Sequence, residues 1–281
     1  MQKWYNIAIQ PRELNMARTP PPDYGIIYNW DGTPHGYSEY PQTAQQLVDL
    51  IYAPIKDTQV GAMTWCVGAE EARWPSKQLP LYGSGEGRRY DDVEHTRRVE
   101  GLWGMYDRGE NPYGAIVRGG RELGMHVYAA VRMNDNHFWS DKTRTAPPLT
   151  PETITSVSRH ALTSVRKGHP EWLLGADQAP RWASTSWNLA IPEVRQMRLT
   201  YIEETCRLAD WDGIEIDWQR HAFHLPEHDA YRLMYTLTDL QRGVRSLTDR
   251  IAQERGRPFY VLVRVGATLE TCHKIGYDLE T

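Results

Sequence analysis

The chain has 281 residues, 32 basic and 36 acidic, for a formal net charge of -4; that length holds one large domain or two ordinary ones, and balanced charge without like-charge runs argues against nucleic acid as a partner. Cys66, Cys206 and Cys272 lie far apart with no CxxC pair, so neither a disulfide framework nor a thiolate zinc site is supported. The opening residues lack the apolar core of a signal peptide and no apolar run is long enough for a bilayer, so no membrane partner is expected and the compartment stays open.

Five segments read as short buried strands alternating with helical patterns. "GIIYNWDG" (25–32) comes first, with a helix near "PQTAQQLVDLIYAPI" in which Pro41 suits the first turn. "GAMTWCVG" (61–68) is second, followed by helices near 92–108 and 112–123, with Gly124 as a C-cap. "MHVYAAVRMNDNH" (125–137) is third. A helix opening at Pro192 leads into the fourth, "WDGIEIDWQRH", and a helix over 229–253 leads into the fifth, "PFYVLVRVG" (258–266). The stretches 69–91 and 138–187 read as loop inserts, with a short helix within 150–168.

Strands alternating with helices indicate parallel βαβ units. Facing then separates a doubly wound sheet, apolar on both strand faces, from a barrel. In the fourth strand Ile214 and Ile216 face one way, Glu215 and Asp217 the other. In the third, Val127, Ala129, Val131 and Met133 oppose Tyr128, Ala130, Arg132 and Asn134; in the fifth, Val261, Val263 and Val265 oppose Tyr260, Leu262 and Arg264. The apolar sets belong under helices, so the predicted fold is a (β/α)8 TIM-type barrel, one domain over residues 1–281. Arg132, Asn134, Glu215, Asp217 and Arg264 then converge at its C-terminal mouth, where such barrels keep active sites. The alternative is a structural ion-pair layer. Five βα units leave the barrel open, so the expectation is a chain truncated at its C-terminal end.

"DGIEIDW" resembles the strand-four signature of family-eighteen chitinases, DGxDxDxE, with Asp212, Glu215 and Asp217 at its first three acidic positions and Gln219 where that family has its proton-donating glutamate. More broadly, over most of residues 25–281, the chain is similar to the glycosyl-hydrolase-like ten group of bacterial barrels. The pieces that carry this are "WNLAIPEVRQMRLTYIEETCRLADWDGIEIDWQRH", "VRMNDNH" and "LVRVGATLETCHKIGYDLET". The resemblance implies a (β/α)8 barrel, an oligo- or polysaccharide substrate, and further strands after residue 281.

Most glycosidases use two carboxyl groups flanking the scissile bond. Asp217 is the expected acid or acid/base, and Glu215, one layer deeper, its orienting neighbour. The second flanking carboxylate is Asp31, Asp135 or a residue outside the chain. Arg132 and Arg264 suit carboxylates or substrate oxygens bidentately, and Asn134 and Asn188 suit hydroxyls, with a loop bond ahead of Pro192 as the alternative for Asn188. His221 and Arg220 are expected to line the mouth, and Asp135 and His137 to lie on the third βα loop, with His137 a base or a loop cap. Trp and Tyr, 11 and 16 against 3 Phe, offer flat faces with polar handles, and Trp139, Trp187 and Trp218 are the candidates for sugar stacking. The spacing of His221, His224 and His228 does not match a zinc motif, and "YGSGEGRR" fits no phosphate loop, so neither metal nor cofactor is expected. A carbohydrate-binding barrel without hydrolysis is the second reading, and a metal-dependent hydrolase using Asp and His ligands a third.

Overall fold

Five parallel strands pair in the order of the sequence: β1 (Ile26–Trp30), β2 (Val60–Gly68), β3 (His126–Arg132), β4 (Gly213–Asp217) and β5 (Tyr260–Arg264). The computed structural model describes residues 20–31, 40–83, 93–137, 140–145, 148–155 and 163–280. Doubly wound sheets reverse their strand order at a switch point; across these five strands the order does not reverse.

The helices are α1 (Ala44–Tyr52), α2 (Val93–Asp107), α3 (Pro112–Glu122), α4 (Asp141–Thr145), α5 (Pro151–Thr155), α6 (Ser164–Gly168), α7 (Pro192–Arg207), α8 (Ala230–Arg255) and α9 (Leu269–Lys274). Proline in the first turn starts α3 and α7, as its fixed φ and missing N–H allow. The expected role of Pro41 is corrected: α1 begins later, where the Thr43 hydroxyl accepts from the Gln46 N–H at 3.1 Å and caps the helix. Gly124 (φ +76°) turns the chain from α3 into β3. The 138–187 insert holds α4, α5 and α6 and no strand among the described residues.

The facing of β3 and β4 follows the alternation, whereas that expected for β5 is corrected: Val261 and Val265 are only partly buried and Val263 is exposed, because β5 is an outer strand of the sheet. Val127, Ala129, Val131, Ile214 and Ile216 are buried in one core with Ile51 of α1, Ile116 of α3, Tyr201 and Ile202 of α7 and Val244 of α8. Val127, Val131, Ile214 and Ile216 together stabilise by roughly 6–12 kcal/mol. On the opposite face Glu215 and Asp217 are both paired with Arg264, which offsets part of the cost of burying their charge. Gly213 is required at the start of β4: a Cβ would run into the Tyr260 carbonyl and the Tyr128 ring. Both outer strands expose apolar groups, Ile26 and Ile27 on β1 and Val263 on β5. No helix among the described residues is long and apolar enough to cross a membrane.

Candidate active site

Arg132, Asp217 and Arg264 are register partners at the C-terminal ends of β3, β4 and β5. Arg264 bridges two acids, its Nη1 3.2 Å from Asp217 Oδ2 and its Nη2 2.7 Å from Glu215 Oε1. The contact with Glu215 is close but off the hydrogen-bond direction, since that oxygen has no hydrogen-bond partner. Asp217 is 3% exposed. Its Oδ1 accepts from the Gln219 N–H at 3.0 Å and the Arg220 N–H at 2.9 Å, so the loop leaving β4 folds over the carboxylate. Both Asp217 oxygens therefore accept, and the side chain is arranged as an anion rather than a proton donor.

Burial pushes the Glu215 carboxyl above its ordinary value; Arg264 opposes this, Asp217 adds to it by like charge, and a hydrogen bond with Thr64 lowers it. Across the cleft Arg132 pairs with Asp31 and lies 3.6 Å from Asp135. Asn29, Cys66, Ala130 and Arg220 complete the lining of a small cleft that holds Asp31, Arg132, Glu215, Asp217 and Arg264.

Several expected contributors lie elsewhere. Asn134 is corrected: it is fully buried, its Nδ2 donates to the carbonyls of Trp187 (3.1 Å) and Phe223 (2.9 Å), and its Oδ1 accepts from the Trp187 N–H (2.9 Å). It ties two loops together and has no donor left for a sugar. Trp218 and Trp187 are corrected as stacking platforms, being 4% and 1% exposed. Trp218 donates to Gln241 Oε1 at 3.1 Å, and Trp187 donates to Glu70 Oε1 at 2.7 Å. Asn188 Oδ1 accepts from the Ala190 N–H at 3.0 Å, a loop bond ahead of α7. Trp139 lies outside the described residues. Asp135, His137 and His221 meet at the rim, with ligand atoms within 4.8 Å of one another. His224 is instead fully buried, its Nε2 3.1 Å from the Trp218 carbonyl oxygen.

Two features were not anticipated. Asn29 donates to Thr64 Oγ1 at 2.5 Å, placing polar groups of β1 and β2 in the same inner layer as Glu215. Their signal is parity: Asn29 and Asp31 alternate with Tyr28 and Trp30, and Thr64 and Cys66 with Trp65. Glu70, Arg166 and Trp187 form a buried knot behind the rim, in which the Arg166 guanidinium pairs with Glu70 and lies 4.7 Å from the Trp187 ring centroid. Only the paired acids at 70–71, directly after β2, hint at it. A larger cavity lies in the helical layer among Tyr40, Leu47, Trp65, Met105, Tyr113 and Ile116, with Arg73 and Arg98 also in its lining, and no carboxylate of the described residues lines it.

No protein-family model matches the chain, and no curated protein matches it. Among solved structures it is similar to an α-galactosidase from Thermus thermophilus in complex with p-nitrophenyl α-D-galactopyranoside (9% identity, TM-score 0.40, 85% of this chain and 37% of that one). It is also similar to an α-L-fucosidase from Paenibacillus thiaminolyticus (14%, 0.39, 84% and 32%). A third is an α-galactosidase from Geobacillus stearothermophilus in complex with stachyose (10%, 0.41, 89% and 29%). The chain spans about a third of the length of these proteins, and likeness at this level carries no argument about activity.

Proposed function

We propose that the chain is the carbohydrate-active part of a glycoside-hydrolase-like (β/α)8 barrel, its five strands forming one arc of the wall as a single domain. The unreversed strand order, the helices on one face and the charged cleft on the other support the barrel. The observation that carries the activity is Asp217, held as an anion by two backbone N–H groups and Arg264 at the strand ends. In this reading Asp217 is the carboxylate that attacks, or activates water against, the anomeric carbon. Glu215 and Arg264 set its charge and position, and Asp31 is the opposing carboxyl on the described strands, held by Arg132.

A second reading, carbohydrate binding without hydrolysis, is favoured by one observation: among the described residues Asp31 is the only other acid lining the cleft from another strand end, and it is paired with Arg132. Screening an oligosaccharide panel for binding and for reducing-end release separates the two. Turnover supports hydrolysis, binding without turnover supports the second reading, and neither binding nor turnover removes both.

A further inference from the structure

We propose that Asp135, His137 and His221 form a binding site for one divalent transition-metal ion, Zn²⁺ by the chemistry of its ligands, at the rim of the cleft. This goes beyond the carbohydrate reading and does not depend on it.

The donor set is two imidazoles and a carboxylate, which suits Zn²⁺ and leaves a fourth position for water or a substrate oxygen. The three come from two loops, Asp135 and His137 after β3 and His221 after β4, yet their ligand atoms lie within 4.8 Å of one another. A tetrahedral ion with bonds of about 2 Å sets its ligand atoms roughly 3.4 Å apart, a spacing that side-chain rotation reaches by parting Asp135 from His137 and drawing His221 in. One carboxylate oxygen faces both rings: Asp135 Oδ1 contacts His137 Nδ1 and lies 3.9 Å from His221 Nδ1. The other oxygen is turned away, 3.6 Å from Arg132 Nη1. The two imidazoles meet edge to face, with centroids 4.7 Å apart.

The surrounding bonds hold this arrangement before any ligand arrives. The fully buried Arg166 donates through Nη2 to the Asp135 carbonyl at 2.9 Å, and the Ser186 hydroxyl donates to Asn136 Oδ1 at 2.7 Å. The Asn136 N–H reaches His221 Nδ1 at 3.3 Å, a long bond between the two loops that an ion on that nitrogen would replace. His221 sits in the left-handed region (φ +53°), a conformation that costs a non-glycine residue and that directs its ring at Asp135. Positioning of this kind, by supporting bonds on both loops, is what a metal site requires.

Calorimetric titration of ZnCl₂ into chelator-treated protein at pH 7, with no sugar present, tests the proposal. The expected result is one saturable Zn²⁺ per chain, weakened at least tenfold by Asp135→Asn and by His137→Gln and unchanged by Asp217→Asn. His137 is exposed, so His137→Gln keeps the fold, which an unchanged unfolding temperature without zinc verifies. Absence of saturable binding, or equal affinity in the wild type and His137→Gln, would overturn the site. Because no sugar is involved, either result is independent of hydrolysis.

Discussion

Asp217 and Arg264 stand opposite one another in register on β4 and β5, and the guanidinium reaches the carboxylate at 3.2 Å while also reaching Glu215 at 2.7 Å. One cation thus serves two acids two residues apart on the same strand. Removing it leaves two neighbouring buried carboxylates facing each other's charge. Arg264→Met is expected to lower stability at pH 7 by about 1–3 kcal/mol, with part of the loss recovered as pH falls and Glu215 takes up a proton. Urea midpoints over a descending pH series check this, and an equal loss at every pH would contradict the shared-cation account.

Glu71 has its carboxyl pushed up to about 8 by burial, with the neighbouring Glu70 adding to it. A folded-state value above the unfolded one means that the favourable contribution is complete below about 4.5 and is lost as pH rises through 8. Glu71→Gln removes that penalty. The variant is expected to be more stable than wild type at pH 8, by on the order of 1–3 kcal/mol, and equal to it near pH 4.5. Thermal unfolding across that range is the measurement, and a difference independent of pH would reject the assignment.

His224 titrates with the opposite sign. Burial pushes its imidazole down to about 4, against the lesser effect of its bond to the Trp218 carbonyl. Between about 4 and 6.5 the unfolded chain binds the proton that the folded chain refuses. Stability from this residue is complete above 6.5 and falls by up to about 3 kcal/mol as pH drops toward 4. His224→Gln should show a flatter dependence of the urea midpoint on pH over that window than the wild type; identical slopes would contradict the reading.

Asn134 donates twice and accepts once with both partners' loops buried around it. Asn134→Ala strips satisfied groups and leaves the Trp187 and Phe223 backbones unpaired, for an expected loss of about 2–4 kcal/mol. A variant that keeps full stability but loses sugar binding would restore the role that sequence alone suggested.

The strands and their facing were legible because alternation is a local property. Ile214 and Ile216 against Glu215 and Asp217 need no knowledge of distant segments, and the helices over 192–207 and 230–255 announce themselves by apolar spacing and by Pro192. Burial by distant chain was not legible. Trp187, Trp218 and Asn134 read as mouth residues from their neighbours in sequence, but the loops at Trp187, ahead of α7, and at Phe223, after β4, bond to Asn134 and leave all three buried. The knot of Glu70, Arg166 and Trp187 has the same origin, since its members are separated by tens of residues. Composition promised aromatic platforms; packing spent Trp74, Trp103, Trp187, Trp211 and Trp218 on buried contacts instead.

The role of Asp217 is tested most directly by kcat/KM for reducing-end release from the oligosaccharide that the protein turns over best, in the wild type and in Asp217→Asn, which keeps the side chain's shape and removes its charge. The expected result is a drop of at least about 10³-fold with the unfolding temperature within a few degrees of wild type. Turnover by Asp217→Asn at the wild-type rate would place the chemistry elsewhere and contradict the proposed active site.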